Sequence, residues 1–266
     1  MRVGLIGGGF MGEALVSALV KDGVAQAGEV TVSDIAEARR RHLADRYGAA
    51  VTVDSAQAAR DAELVVLAVK PQEFPGVASD LRGKLAGGQT VLTIMAGVTI
   101  ARVVEELGHA AVARAMPNTA AFVGQAMSVW TATEAVSEAG CEAVARLLRA
   151  LGREVRVSDE KYLDMATAVS GSGPGFVFLF LEAFIDAAVH IGLHRELAEE
   201  LAVQTLFGSV SLARETGKHP AELRNMVTSP GGTTAAGLLI LEEAGLRGAV
   251  IDAVEAAYER AKELGA

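Results

Sequence analysis

Val3-Gly4-Leu5-Ile6-Gly7-Gly8-Gly9-Phe10-Met11-Gly12-Glu13-Ala14-Leu15-Val16 opens the chain and decides how its first half is read. An apolar run, Val3 to Ile6, leads straight into G-x-G-x-x-G, formed by Gly7, Gly9 and Gly12, and then into a helical pattern reaching Lys21. In that strand-turn-helix setting the first glycine permits the tight turn and the second lets a pyrophosphate approach the backbone. The third lets helix pack on strand, and the helix N-terminus offers unpaired N–H groups to the anion. The expected dinucleotide-facing positions are therefore Ile6, Gly7, Gly8, Gly9, Phe10, Met11 and Gly12. The next apolar run ends in Ser33 and Asp34, about 22 residues after the last glycine, where an acid commonly binds the ribose diol. Arg39, Arg40 and Arg41 follow, and they offer positive charge for a 2′-phosphate instead. NADP(H) and NAD(H) both stay open on these residues, as does a plain capping role for Asp34.

Working outward, short apolar runs alternate with helical patterns: Val30 to Ser33, a helix from Ile35 to Tyr47, then Leu64 to Val69 and Val91 to Met95. Further strand candidates lie around Val112 to Ala115, Met127 to Trp130 and Glu154 to Val157. Alternation with short connections predicts an α/β fold, a Rossmann-type doubly wound parallel sheet, over residues 1–157. Beyond it, Tyr162 to Val169, Gly175 to Ile191, Arg195 to Thr216, Ala221 to Val227, Thr234 to Glu243 and Leu246 to Leu264 all carry helical spacing. An all-helical second domain over residues 158–266 is expected. The segment around Phe176 to Val189 is apolar on nearly every face, so another subunit is expected to supply part of its cover. Met165 to Leu181 lacks charge, yet its Gly171, Gly173, Pro174 and Gly175 and the following Glu182 and Asp186 favour a buried helix over a membrane span.

The formal charge of −9 argues against nucleic acid or an anionic membrane as partner and leaves a small molecule as the expected one. A single cysteine, Cys141, allows no intrachain disulfide, and the N-terminus enters the first strand without a secretory pattern; a cytoplasmic enzyme is expected. Of the five histidines only His190 and His194 share metal-ligand spacing, without a third ligand, so no metal is expected.

Two glycine-rich segments in the helical half, Ser170-Gly171-Ser172-Gly173-Pro174 and Ser229-Pro230-Gly231-Gly232-Thr233-Thr234, each precede a helical pattern and offer N–H groups and hydroxyls suited to a carboxylate. Capping alone would also explain them. Together with Ala68-Val69-Lys70-Pro71, Ala96-Gly97-Val98-Thr99, Arg114-Ala115-Met116-Pro117-Asn118-Thr119 and His219-Pro220, they make a chain that resembles the pyrroline-5-carboxylate reductase family over nearly its whole length. The resemblance implies hydride transfer from NADP(H), or NAD(H), to the C=N bond of Δ1-pyrroline-5-carboxylate, giving L-proline. It implies a substrate site at Ser229, Gly232 and Thr233, with Thr234 bonding the ring nitrogen as the catalytic position, and with Glu160 and Asn225 contributing. Cofactor contacts at Ser33, Asp34, Ser55, Val69, Lys70, Pro71 and Ala96 are implied as well. It also implies a helical dimerisation domain, hence a homodimer or a larger homo-oligomer such as a decamer. Phe176 stands where the family has Tyr and Asn225 where Asp is common, which bears on substrate affinity. Two rival functions remain: a hydroxyacid or imine reductase, for which Lys161 and Lys218 are the lysines nearest a catalytic position, and a nucleotide sensor without turnover.

Overall fold

A computed structural model describes residues 1–265. The chain divides into two compact units, one of residues 1–172 with 257–266, the other of residues 173–256.

The first unit is built on eight strands: β1 (Val3–Ile6), β2 (Val30–Ser33), β3 (Ala50–Thr52), β4 (Leu64–Leu67), β5 (Thr90–Thr93), β6 (Val112–Met116), β7 (Ala126–Ala132) and β8 (Gly152–Arg156). Their order is β3-β2-β1-β4-β5-β6-β7-β8, so the chain reverses direction across the sheet between β1 and β4. Helices α1 (Phe10–Lys21), α2 (Glu37–Tyr47), α3 (Ser55–Ala59), α4 (Phe74–Leu81) and α5 (Ile100–Leu107) make the crossovers that parallel neighbours require. The sheet departs from the expected all-parallel pairing once. β7 runs antiparallel to β6, because only the tight 3-10 turn Thr119–Val123 joins them and no crossover helix intervenes. α6 (Glu138–Leu151) then restores a parallel β8.

Both sheet faces are sealed. Leu15, Leu19, Leu43, Trp130, Leu147 and Leu151 form the core on one side, and Phe74, Leu81, Val91, Val103 and Leu107 on the other. β1 and β4 are buried at every position, so they read as continuous apolar runs and were legible. β3 was not read from the sequence. Its three residues, beginning with Ala50 and ending with Thr52, lie at a sheet edge and are not buried, so neither alternation nor an apolar run marks them.

Strand gives way to helix between Arg156 and α7 (Lys161–Ala166), close to the expected boundary at Val157 and Ser158. The compact first unit nevertheless continues to Ser172. Leu163 and Ala168 are buried within it, and Arg114 of β6 holds Glu160 and Asp164. Its final piece also returns, with the Leu264 backbone packed so close to Gly97, itself at a φ of 72°, that no side chain fits there.

The second unit comprises α8 (Gly173–His190), α9 (Arg195–Thr216), α10 (Pro220–Met226), α11 (Thr233–Glu243) and most of α12 (Leu246–Gly265). α8 was expected to be buried. In the single chain none of its residues is, and Phe176, Val177, Phe178, Leu179, Phe180 and Phe184 are exposed. A unit of this size cannot enclose a helix that is apolar all round. The helical run Lys161–His190, with a mean hydropathy of 1.5 in its most apolar window, is long and apolar enough to cross a membrane by length and composition.

Candidate active site

The glycine turn lies at the carboxyl end of β1, beside the point where the strand order reverses, which is where open α/β sheets bind ligands. Gly7 has a φ of 103°, and its N–H donates to the Ser33 carbonyl at 2.8 Å. A Cβ on Gly7 would lie 2.6 Å from the Ala68 carbonyl oxygen, and one on Gly12 would overlap the Gly7 carbonyl oxygen. Those two glycines are demanded by the fold itself. Gly9 differs: its φ of −66° suits any residue, and a Cβ there would meet nothing within 4 Å. The open space in front of Gly9, at the start of a helix with no side-chain cap, leaves the first N–H groups of α1 open to an anion. Phe10 next to it is 61% exposed and packs against Phe122, with ring centroids 4.1 Å apart and the rings tilted by 43°.

The end of β2 lies beside this turn. Asp34 accepts from the Gly8 N–H and the Ala36 N–H, both at 2.8 Å, so its carboxylate joins the strand end to the turn. The Ser33 hydroxyl lies 3.4 Å from that of Ser55 at the start of α3, which brings two expected cofactor positions together. Val69 is half-buried and Lys70 exposed where β4 runs into Pro71, and Ala96 lies half-buried beyond β5. The arginines that the sequence offers for a 2′-phosphate have other partners here. Arg39 donates to the Gly8 carbonyl and to Glu13, Arg40 donates to the carbonyls of Asp34 and Ile35, and Arg41 pairs with Glu37.

Glu13, in the first turn of α1, is buried and surrounded by donors: His42 at 2.7 Å, Arg39 at 2.7 Å and Tyr47 at 3.1 Å. Burial opposes its charge, but the hydrogen bonds from His42, Arg39 and Tyr47 outweigh it and lower the pKa from the usual 4.5 to about 2. A folded pKa below the unfolded one means that the stabilisation is complete above about pH 4.5 and is lost as pH falls towards 2. The full shift corresponds to about 3 kcal/mol, which solvent around the partly exposed His42 and Arg39 reduces to about 1–2. Denaturant titrations should therefore show Glu13→Gln less stable than the wild type at about pH 6, with the gap closing near pH 2. A gap independent of pH would refute this account.

Glu160, expected at the substrate site, is held within the first unit. One carboxylate oxygen accepts from the Ile100 N–H at 2.8 Å and from the Arg114 guanidinium at 2.7 Å. Arg114 itself is nearly inaccessible and also reaches Asp164 at 3.3 Å. Neither Arg114 nor Asn118 carries a role legible in the sequence. The Asn118 amide donates to the Ser170 carbonyl at 3.0 Å, and its oxygen accepts from the Met127 N–H at 3.4 Å, so it locks the loop after β6. An arginine inside the apolar run Val112 to Met116 was the available signal.

The segment Ser170–Pro174 is not the helix N-terminus that the sequence suggested. It falls inside the helical run from Lys161 to His190 as a single π turn, Thr167–Gly171, in which the Ser172 N–H reaches the Thr167 carbonyl at 2.7 Å. The Ser170 hydroxyl donates back to Ala166 at 2.9 Å. Single π turns recur at functional sites, since the widened turn redirects side chains.

In the second unit, Ser229 to Thr234 forms the entry to α11. Gly231 has a φ of 70°, the Gly232 N–H donates to the Ser229 carbonyl at 3.0 Å, and Gly232 caps α11. A Cβ on Gly232 would overlap the Ser229 hydroxyl oxygen, so the loop brings a hydroxyl beside the start of a helix. Ser229 and Thr233 are exposed and Thr234 is half-buried as the second residue of α11. The exposed Asn225 side chain makes only a long contact, 3.5 Å, with Arg224. His194 and His219 cap α9 and α10, and no group of three or more potential metal ligands occurs among the described residues.

A doubly wound sheet, a glycine turn with an open approach at Gly9 and a separate helical unit define a nicotinamide-dinucleotide-dependent oxidoreductase. Residues 160–264 match the model described as pyrroline-5-carboxylate reductase dimerisation, and residues 2–97 the one described as NADP oxidoreductase, coenzyme F420-dependent. The chain is 41% identical to the pyrroline-5-carboxylate reductase of Synechocystis, covering 100% of this chain and 98% of that one. It is 40% identical to that of Methanosarcina acetivorans, covering 99% and 98%. Among solved structures it is similar to the Coxiella burnetii enzyme, with a TM-score of 0.93 at 36% identity over 100% of this chain and 98% of the other. The Plasmodium falciparum pyrroline carboxylate reductase, solved with NADP bound, gives 0.91 at 30% identity over the same shares. The chain belongs to the pyrroline-5-carboxylate reductase family.

Proposed function

We propose that this chain reduces the C=N bond of Δ1-pyrroline-5-carboxylate to give L-proline, as the last step of proline biosynthesis, with NADPH as the favoured hydride donor and NADH as the alternative. The observation that carries the reading is the Ser229–Thr234 loop, whose hydroxyl and helix N-terminal N–H groups suit a small carboxylate. When bound, the nicotinamide supplies the hydride to the ring carbon. The substrate nitrogen is readily protonated, and an iminium accepts hydride without a dedicated general acid. The chain's task is then position and electrostatics. Ser229 and the amides of Gly232 and Thr233 hold the carboxylate, and the Thr234 hydroxyl orients the nitrogen as its charge disappears. Asn225 stands close in sequence to this loop as a secondary contact. At the other ligand, Ser33, Asp34 and Ser55 face the ribose, and Val69, Lys70, Pro71 and Ala96 line the crevice along the strand ends.

A steady-state assay with Δ1-pyrroline-5-carboxylate, comparing NADPH with NADH, tests the reaction and the cofactor together. Thr234→Ala is expected to lower turnover by about 10- to 100-fold with an unchanged melting temperature, in line with losing one positioning hydrogen bond. Wild-type turnover in a folded Thr234→Ala protein would remove that role. Turnover only with hydroxyacids or other imines would favour the rival enzyme, and binding without turnover the sensor.

The exposed apolar side chains of α8, together with Phe207 and Val210 of α9 and Leu239 and Ile240 of α11, support a homodimer as the smallest working form. A cytoplasmic location agrees with this reading. Light scattering on the purified protein should give at least twice the chain mass without detergent, with a decamer as one outcome. A monomer that is soluble only in detergent would point to a lipid surface as the cover for α8.

A further inference from the structure

Arg39 is the one arginine near the ribose end whose guanidinium reaches the glycine turn itself. Its Nε and Nη2 donate to the Gly8 carbonyl at 2.9 and 2.7 Å, and Nη2 also donates to Glu13 at 2.7 Å. Glu13 is buried beneath the turn and is further fixed by His42 and Tyr47, so the guanidinium is held from behind. Gly8 is thus gripped on both sides, since its N–H donates to Asp34 while its carbonyl accepts from Arg39. Gly8 directly precedes Gly9, the position with open space for the pyrophosphate, and any rotation of the Gly8–Gly9 peptide would re-aim the N–H groups that an anion needs.

We infer that Arg39 is a positioning residue for the cofactor turn: anchored by Glu13, it fixes the Gly8 carbonyl and serves both forms of the cofactor alike, rather than reading the 2′-phosphate. A residue that bonds the 2′-phosphate distinguishes NADPH from NADH. One that sets the pyrophosphate cradle acts on what the two share.

The inference rests on the proposed cofactor use but not on the proposed substrate, so binding of reduced cofactor is the primary measurement. Fluorescence titration of the full-length protein with NADPH and with NADH, the weaker form by competition, is compared for wild type, Arg39→Gln, Arg39→Lys and Glu13→Gln. Arg39→Gln should weaken both cofactors by a similar factor, about 10-fold, and leave the NADPH/NADH ratio of dissociation constants within about 2-fold of the wild type. Glu13→Gln should weaken both in the same direction by a smaller factor, and the double variant should be no worse than Arg39→Gln by more than about 2-fold, because the two residues act as one unit. Arg39→Lys keeps a donor and should recover part of the loss. In the assay with pyrroline-5-carboxylate the change should appear in KM for the cofactor and leave kcat nearly unchanged. Loss confined to NADPH would overturn the inference and make Arg39 a phosphate ligand, and unchanged affinity for both would overturn it as well. If Arg39→Gln does not fold, Arg39→Lys and Glu13→Gln decide by the same ratio. Absence of turnover in the wild type would count against the substrate reading alone.

Discussion

Gly12→Ala is expected to unfold the first unit and abolish cofactor binding, whereas Gly9→Ala leaves the fold intact and loses only the cofactor. The two positions belong to one motif but answer to different constraints. A Cβ at Gly12 falls on the Gly7 carbonyl oxygen, backbone against backbone, so α1 must move away from β1. Leu15 and Leu19 of α1 are buried against the sheet, so that movement opens the core. Overpacking of this kind costs about 1–3 kcal/mol where side chains can adjust, and more where, as here, only backbone can. At Gly9 an added methyl meets no atom of the protein and the backbone conformation is an ordinary one. On the proposed placement of the cofactor it occupies the approach of the pyrophosphate instead. Thermal melts beside NADPH titrations should show a large fall in Tm for Gly12→Ala. For Gly9→Ala they should show a Tm within about 2 °C of the wild type, with affinity reduced by about 10-fold or more. If Gly9→Ala bound NADPH as the wild type does, the cradle assigned to Gly9 would be wrong.

The second large effect is expected at Arg114. Its guanidinium, with the side chain 3% accessible, faces the carboxylates of Glu160 and Asp164. Glu160 also accepts the N–H that begins α5, so three parts of the first unit meet at this one charge. Removing one partner of a buried pair leaves the other uncompensated, at a cost of about 3–5 kcal/mol; the partly exposed carboxylates place Arg114→Ala at about 2–4. Glu160→Gln should cost less, because an amide oxygen still accepts from Ile100 and Arg114. Equilibrium denaturation of the two variants checks the order. A larger loss of stability in Glu160→Gln than in Arg114→Ala would overturn this order, and with it the account of Arg114 as the charge on which the three parts depend.

Much of the first unit could be read from residues because burial wrote a simple pattern into them. β1 and β4 are buried at every position and stand out as apolar runs, and the strand-turn-helix at Gly7 to Gly12 is local in sequence. β3 escaped because an exposed edge strand needs no apolar side chains. The π turn escaped for another reason. Ser170-Gly171-Ser172-Gly173-Pro174 has the composition of a break, and only the bond from the Ser172 N–H to the Thr167 carbonyl shows it to be a widened turn within a helical run. The Ser229–Thr234 loop was readable as a helix entry with hydroxyls, since Gly231 and Gly232 declare its geometry locally.

The alternation of strands and helices apart from β3, the dinucleotide turn and the second glycine loop all followed from the residues alone, because each depends on neighbours in the chain. Only the tertiary structure decided which of the three arginines after β2 touches the turn, that Glu160 is held by Arg114, and which glycines of the motif the fold requires. Each of those depends on distance between atoms far apart in sequence. Arg39 and Gly8 are brought together by the packing of α2 beside α1, and no spacing in the sequence states that.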